Sequence, residues 1–240
     1  THNHELYNMG HLLTAASVHF GITGERTFLD VAIRLADYLY RTFQPRPPEL
    51  AHYGWNLSNI MGLVDLHRAT ADDRYLELAG VFIDMRGSQP GGDDQNQDHM
   101  PLRRETRAMG HAVTGPYLYA GAADVVAETG ETELLDAVVR IWENATDRRM
   151  YITGGIGSNH WGGTARRQPV HESFGRDYEL PNASGYNETC ANIALAMWSL
   201  RLAELTGESR YTEVVERVMY NAGISGVSID GDTFCYTNPL

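Results

Sequence analysis

Apolar positions recur along this chain with the period of a helix. Between residues 5 and 20, Leu6, Met9, Leu13, Ala16 and Phe20 follow i, i+3, i+7 spacing and mark one face. His4, Tyr7, His11 and Thr14 share the opposite face. Such a face is solvated on a surface helix and lines a cavity on the inner helix of a barrel. The same pattern predicts helices over about 26–43, 57–70, 74–86, 103–128, 133–148, 191–205 and 211–221. Pro45, Pro47 and Pro48 end the 26–43 helix, and Pro116 should kink the 103–128 helix because it removes a backbone donor. The tail GVSIDGDTFCYTNPL alternates and contains Asp230-Gly231, which reads as the start of a β-hairpin.

A short motif returns where helices meet: ITGERTFLDVA, ATADDRYLELA, ETGETELLDAV and LTGESRYTEVV. Each places Thr-Gly or Thr-Ala at the end of one helix and acidic residues at the start of the next. Glycine there supplies a left-handed cap, and the acids suit the positive end of the following helix. Four such junctions at unequal spacing indicate an array of helical hairpins that is not a strict solenoid. The expected fold is all-α: an incomplete (α/α)6-barrel over 1–223, about two hairpins short of a six-hairpin ring. Residues 224–240 are expected to form a β segment leading out of it.

One stretch breaks the helical pattern. Residues 150–190 are rich in glycine and contain Glu172, Asp177, Glu179, Glu188, His160, His171 and Cys190. Connections of this length are usually functional when ordered, and Trp161, Phe174, Tyr178 and Tyr186 argue for order. Charge narrows the partners. A net charge of −12 over 240 residues lacks the basic stripe of a nucleic-acid binder, and suits a small-molecule or oligosaccharide substrate. No apolar run is long enough to span a membrane. Two cysteines, Cys190 and Cys235, do not make a disulfide framework.

Several residue sets in and around this stretch can carry chemistry. Glu172 and Glu188 could act as an acid/base pair, since glycoside cleavage commonly uses two carboxyl groups, although most glutamates are merely solvated. Glu188-Thr189-Cys190 offers a carboxylate and a thiol, both zinc ligands. Positions i and i+2 diverge on a helix, so joint ligation requires the triplet to sit just before a helix or in its first turn. The ordinary alternative is that Glu188 complements a helix dipole while Cys190 is buried. His111, placed on the 103–128 helix among apolar residues, is by itself more often a core residue than a functional one. Trp55 and Asn56 could bind a sugar by stacking and hydrogen bonding, or be structural.

Taken together, HELYNMGHL, GHAVTGPYLYAG, IWENATDRRMYITGGIGS, HESFGRDYELPN, YNETCA and FCYTNPL resemble glycoside hydrolase family 127, the β-L-arabinofuranosidase-like enzymes. The resemblance spans essentially the whole chain in order. It implies an (α/α)6-barrel catalytic domain, and a retaining mechanism with a zinc-bound cysteine thiolate as nucleophile and a glutamate as acid/base. By motif position, Glu172 matches the acid/base, and Glu188 and Cys190 match two zinc ligands. His4, His111 and Tyr236 match residues lining the sugar site.

The chain also departs from the family pattern. Asn56 stands where the family commonly has a sugar-contacting histidine. The remaining Zn2+ ligands, a Cys-Cys pair that includes the nucleophile, are expected downstream, and Cys235 does not match them. Residues 159–170 read as an insertion ahead of Glu172 that reshapes the pocket mouth. Lacking an initiator Met and stopping at Leu240, the chain reads as an internal fragment that is inactive alone. Neither compartment nor oligomeric state is readable from the sequence; a cytoplasmic location is favoured over others, and a homodimer of the full-length protein is compatible with it. Two rival readings remain: a metal-free toroid enzyme using paired carboxylates, and a carbohydrate-binding toroid without catalysis.

Overall fold

The structure is a computed structural model, and it describes residues 4–54, 57–163 and 169–240. Its helices alternate between two layers. The inner row is α1 (Glu5–Thr23), α3 (Ser58–Thr70), α5 (Thr114–Thr129) and α7 (Thr189–Thr206). The outer row is α2 (Arg26–Phe43), α4 (Asp73–Met85), α6 (Thr132–Arg148) and α8 (Ser209–Arg217). Each inner helix packs on the next inner helix and on its own outer partner. The result is four antiparallel α/α-hairpins in sequence order among the described residues, a toroid-like arrangement.

Burial separates the two rows. Outer helices are apolar along one stripe, as with Leu29, Ala32, Ala36, Leu39 and Phe43 of α2. Of the inner helices, α3, α5 and α7 are covered more fully, with α5 buried without a break from Thr114 to Val126, whereas α1 buries only Leu6, Gly10, Leu13, Ala16 and Ser17. Crowding is closest between α1 and α3, where Gly10 and Gly62 face each other. A Cβ on either would sit inside van der Waals contact with the backbone of the other helix.

The recurring junction motif is a hydrogen-bonded unit. Gly24, Ala71, Gly130 and Gly207 each adopt a left-handed conformation after a helix, with φ of 73°, 56°, 69° and 72°. The preceding threonine does two jobs in every copy. Thr23, Thr70, Thr129 and Thr206 donate their hydroxyls to the carbonyl four residues back, and accept the N–H two residues ahead. Each hairpin corner is therefore closed by its own sequence.

Two expectations need correction. Residues 103–113 are not helical: a 3-10 turn at Leu102–Arg104 precedes irregular chain, and α5 begins only at Thr114. Gly110, at φ 73°, turns the chain just before His111. Pro116 falls in the first turn, where the N–H it lacks has no intrahelical partner, so it opens the helix and does not kink it. The last helix gives way at Val218–Gly223 to a π-helical turn. Residues 224–240 then make a turn with isolated bridges, Val227 to Phe234 and Glu188 to Thr237, an incomplete hairpin with no ladder. None of the described helices is long and apolar enough to cross a membrane.

Candidate active site

Glu172 lies in a small antiparallel pair, β1 (Asn159–Gly163) with β2 (Pro169–Ser173). The segment read as an insertion, 159–170, supplies β1 and only the first residues of β2, and Glu172 follows it on that second strand. Glu172 has φ 50°, in the left-handed region. In a regular strand neighbouring side chains point to opposite faces. Here the turned backbone breaks that alternation, and His171 Nε2 comes within 3.4 Å of Glu172 Oε1.

The loop before α5 holds the other partner. His111 Nδ1 accepts the N–H of Val113 at 3.1 Å, so the imidazole proton sits on Nε2. Nε2–H then donates to Glu172 Oε2 at 2.9 Å. Tyr186 donates its hydroxyl to Glu172 Oε1 at 2.7 Å. Backbone bonds fix the two segments together, Ala112 N to Glu172 O and Phe174 N to Gly110 O. His111 thus stands in the turn leading into α5, not on a helix as the apolar pattern implied.

Burial pushes the Glu172 carboxyl up, but the hydrogen bonds from His111 and Tyr186 outweigh it, and the group is held below the usual glutamate range. Glu172 is therefore an ionised acceptor on both oxygens in this geometry. His111, His171 and Glu172 also place three ligand atoms within 4.8 Å of one another, close enough to hold a metal ion.

Glu188 is the N-cap of α7, in extended conformation, with Thr189 and Cys190 opening the helix. That is the position the joint-ligand geometry required. Cys190 is exposed, which goes against the alternative reading of simple burial. Its surroundings on the protein side and the Glu188 carboxylate nevertheless push its thiol up to about 12. Burial likewise pushes Glu188 up, while the Tyr236 hydroxyl and the Cys190 thiol direct hydrogen bonds at it. Glu188 Oε2 remains buried without a hydrogen-bond partner. An orphaned carboxylate oxygen beside a thiol is a donor set that a divalent cation would satisfy, so these two residues fit zinc.

The tail is strapped across this helix start. Thr189 N donates to Tyr236 O at 3.0 Å and Thr189 Oγ1 to Cys235 O at 2.8 Å. Asn238 Nδ2 reaches Asn187 O and Thr189 Oγ1. These bonds carry Tyr236 to Glu188. On the other side, His4, Tyr7, His11 and Tyr117 form a chain of edge-on rings, with Tyr7 and His11 at 4.4 Å. Burial raises the pKa of Tyr7 and of Tyr117, and the nearby Cys190 and Glu188 raise both further, which puts this inner face toward the same site. Asn56 and Trp55 lie outside the described residues.

The sequence reading did not single out Tyr186, Tyr7, Tyr117 or His171 as site residues. The first of these stands inside the YNETC motif, two residues before Glu188, and that proximity was its signal.

Comparisons with known proteins agree on the family. The profile for the beta-L-arabinofuranosidase GH127 catalytic domain matches residues 1–240. A non-reducing end beta-L-arabinofuranosidase of Bifidobacterium longum is 35% identical over 99% of this chain and 38% of its own length. A solved glycoside hydrolase superposes with TM-score 0.93 at 45% identity, over 99% of this chain and 40% of that one. A GH127 beta-L-arabinofuranosidase from Geobacillus stearothermophilus T6 superposes with TM-score 0.91 at 39% identity, over all of this chain and 39% of that one. The chain thus spans about two fifths of the length of these relatives. Matched along its whole length by that family profile, the chain belongs to the GH127 beta-L-arabinofuranosidase-like catalytic domains.

Proposed function

We propose that the enzyme carrying this chain cleaves β-L-arabinofuranosides or a closely related glycoside with retention of configuration, and that Glu172 is its acid/base. The observation that carries this is the doubly hydrogen-bonded Glu172 carboxylate, held by His111 and Tyr186 beside the Glu188–Cys190 pair. In the first step Glu172 acts from its protonated form, the minor one near neutral pH because its pKa is lowered, and gives that proton to the departing oxygen, which leaves it as the carboxylate. In the second it takes one from the incoming water, and its low pKa suits that role as acceptor. His111 Nε2–H and the Tyr186 hydroxyl hold the carboxylate in place through both steps.

Glu188 and Cys190 are assigned as two of the zinc ligands, and the nucleophile as a cysteine other than Cys190 and Cys235. Zinc bound there would keep a thiol deprotonated near neutral pH. His4, His111 and Tyr236 are assigned to the sugar site. Asn56, in place of a family histidine, is assigned to substrate contact as well.

Glu172→Gln tests the reading. The amide has no proton to donate, and turnover of a natural glycoside should fall by about 10²–10⁴-fold. A substrate with a very good leaving group should partly escape the defect in its first step. Unchanged turnover of the natural glycoside removes Glu172 from the role.

A further inference from the structure

We infer that Trp161, on the strand paired with the Glu172 strand, is the stacking platform for the leaving-group sugar. This rests on the function proposed above and adds to it the half of the substrate that departs.

Trp161 is directly cross-strand from His171. Their rings lie 4.6 Å apart, and His171 in turn contacts Glu172. The indole is thus one side chain removed from the proton that Glu172 delivers. Despite this packing it is 68% exposed, so one face of a large aromatic is presented to solvent beside the acid/base. The neighbouring His160 stacks flat on Tyr186, at 4.6 Å and 10° between planes, and Tyr186 is the residue bonded to Glu172 Oε1. Both residues of the first strand therefore lean on groups that touch Glu172. The hairpin is braced from behind by His171 N, which donates to Gln95 Oε1. The platform is positioned before any ligand arrives.

Chemistry identifies the occupant. Glu172 protonates the oxygen joining the retained sugar to the leaving group. The proposed function assigns the retained sugar to Glu188, Cys190 and Tyr236, and the hairpin offers the leaving group the exposed Trp161, which adjoins Glu172 through His171. A sugar ring presents C–H groups on one face, which an aromatic plane covers without desolvating its hydroxyls. A residue of the saccharide chain is accordingly the ligand class.

The test uses the full-length enzyme and two substrates that both need acid catalysis. One is a β-L-arabinofuranosyl disaccharide, whose leaving group is a sugar ring. The other is methyl β-L-arabinofuranoside, whose leaving group has no ring to stack. In Trp161→Ala the ratio of kcat/KM for the disaccharide to that for the methyl glycoside should fall roughly ten-fold, the size of one lost aromatic contact. Trp161→Leu, which keeps apolar bulk without a π-face, should lower the ratio similarly, and Trp161→Phe should largely restore it. A ratio unchanged in Trp161→Ala and Trp161→Leu overturns the platform. So does an equal fall on both substrates, which would mean that the tryptophan only braces Glu172. A wild-type enzyme that cleaves neither substrate overturns the proposed function itself, and the platform with it.

Discussion

The Tyr186 hydroxyl and the His111 imidazole set the charge of Glu172 from opposite sides of its carboxylate. Loss of either donor should be readable in the pH dependence of the reaction. Tyr186→Phe removes a hydrogen bond that favours the ionised form, so the Glu172 pKa should rise from its lowered position. The acid form then persists to higher pH. The basic limb of the kcat/KM profile should move upward, with the acidic limb changed less. A basic limb that stays in place would show that another group titrates there. Glu172, Glu188 and Cys190 could be singled out as candidates from their motifs. Their partners could not, because the His171–Glu172 contact depends on a positive φ that no periodic pattern announces. For Cys190, joint ligation with Glu188 required the triplet to lie just before a helix or in its first turn, and α7 begins at Thr189, slightly earlier than the 191 read from the apolar pattern.

At the scale of elements, close approach and open space make opposite demands on glycine. Gly10 and Gly62 allow α1 and α3 to meet, and an added methyl at Gly10 would strike the backbone around Ser58 and Asn59. Gly10→Ala should cost about 1–3 kcal/mol by overpacking. Gly80, inside α4, has nothing near its absent Cβ, and Gly80→Ala should stabilise by about 0.5–1 kcal/mol. Denaturant unfolding of the two variants checks both signs, and a neutral Gly10→Ala would mean that the helices can part there without loss. Most helix limits were legible, because the Thr-Gly junctions end one helix and start the next with local hydrogen bonds alone. The exception is the run before Thr114. Its residues Ala108, Met109, Ala112 and Val113 are buried, but in a turn held by Gln97 and the β2 strand, so apolar composition there reports tertiary packing and not helix. The 159–163 and 169–173 strands were missed for a related reason. Their pairing is anchored by long-range contacts to Gln95 and His111, which a local window does not contain.

For the molecule as a whole, zinc binding decides between two arrangements of ligands. A zinc site takes about four ligands, and Glu188 with Cys190 supplies two. The Cys190 thiol, pushed up to about 12, must also lose its proton on binding, which weakens the affinity further near neutral pH. The His111, His171 and Glu172 cluster offers three ligand atoms, but His111 already spends its Nε2–H on Glu172 and its Nδ1 on Val113. A metal there would have to displace those bonds and the Tyr186 hydroxyl. The 240-residue chain should therefore retain well under one zinc per molecule after desalting, and what it retains should be lost in Cys190→Ser and kept in His171→Ala. At the same time Tyr220, Ile224 and Leu240 line one concave surface, with Phe234 and Ile229 exposed on the same terminal segment, and such a surface promotes self-association. The zinc measurement belongs on material that passes gel filtration, with protein and metal quantified in the same fractions. One tightly held zinc that survives Cys190→Ser but not His171→Ala would move the metal to the Glu172 cluster and displace Glu172 from acid/base catalysis. One tight zinc lost in Cys190→Ser would instead mean that this chain supplies more of the ligand set than Glu188 and Cys190.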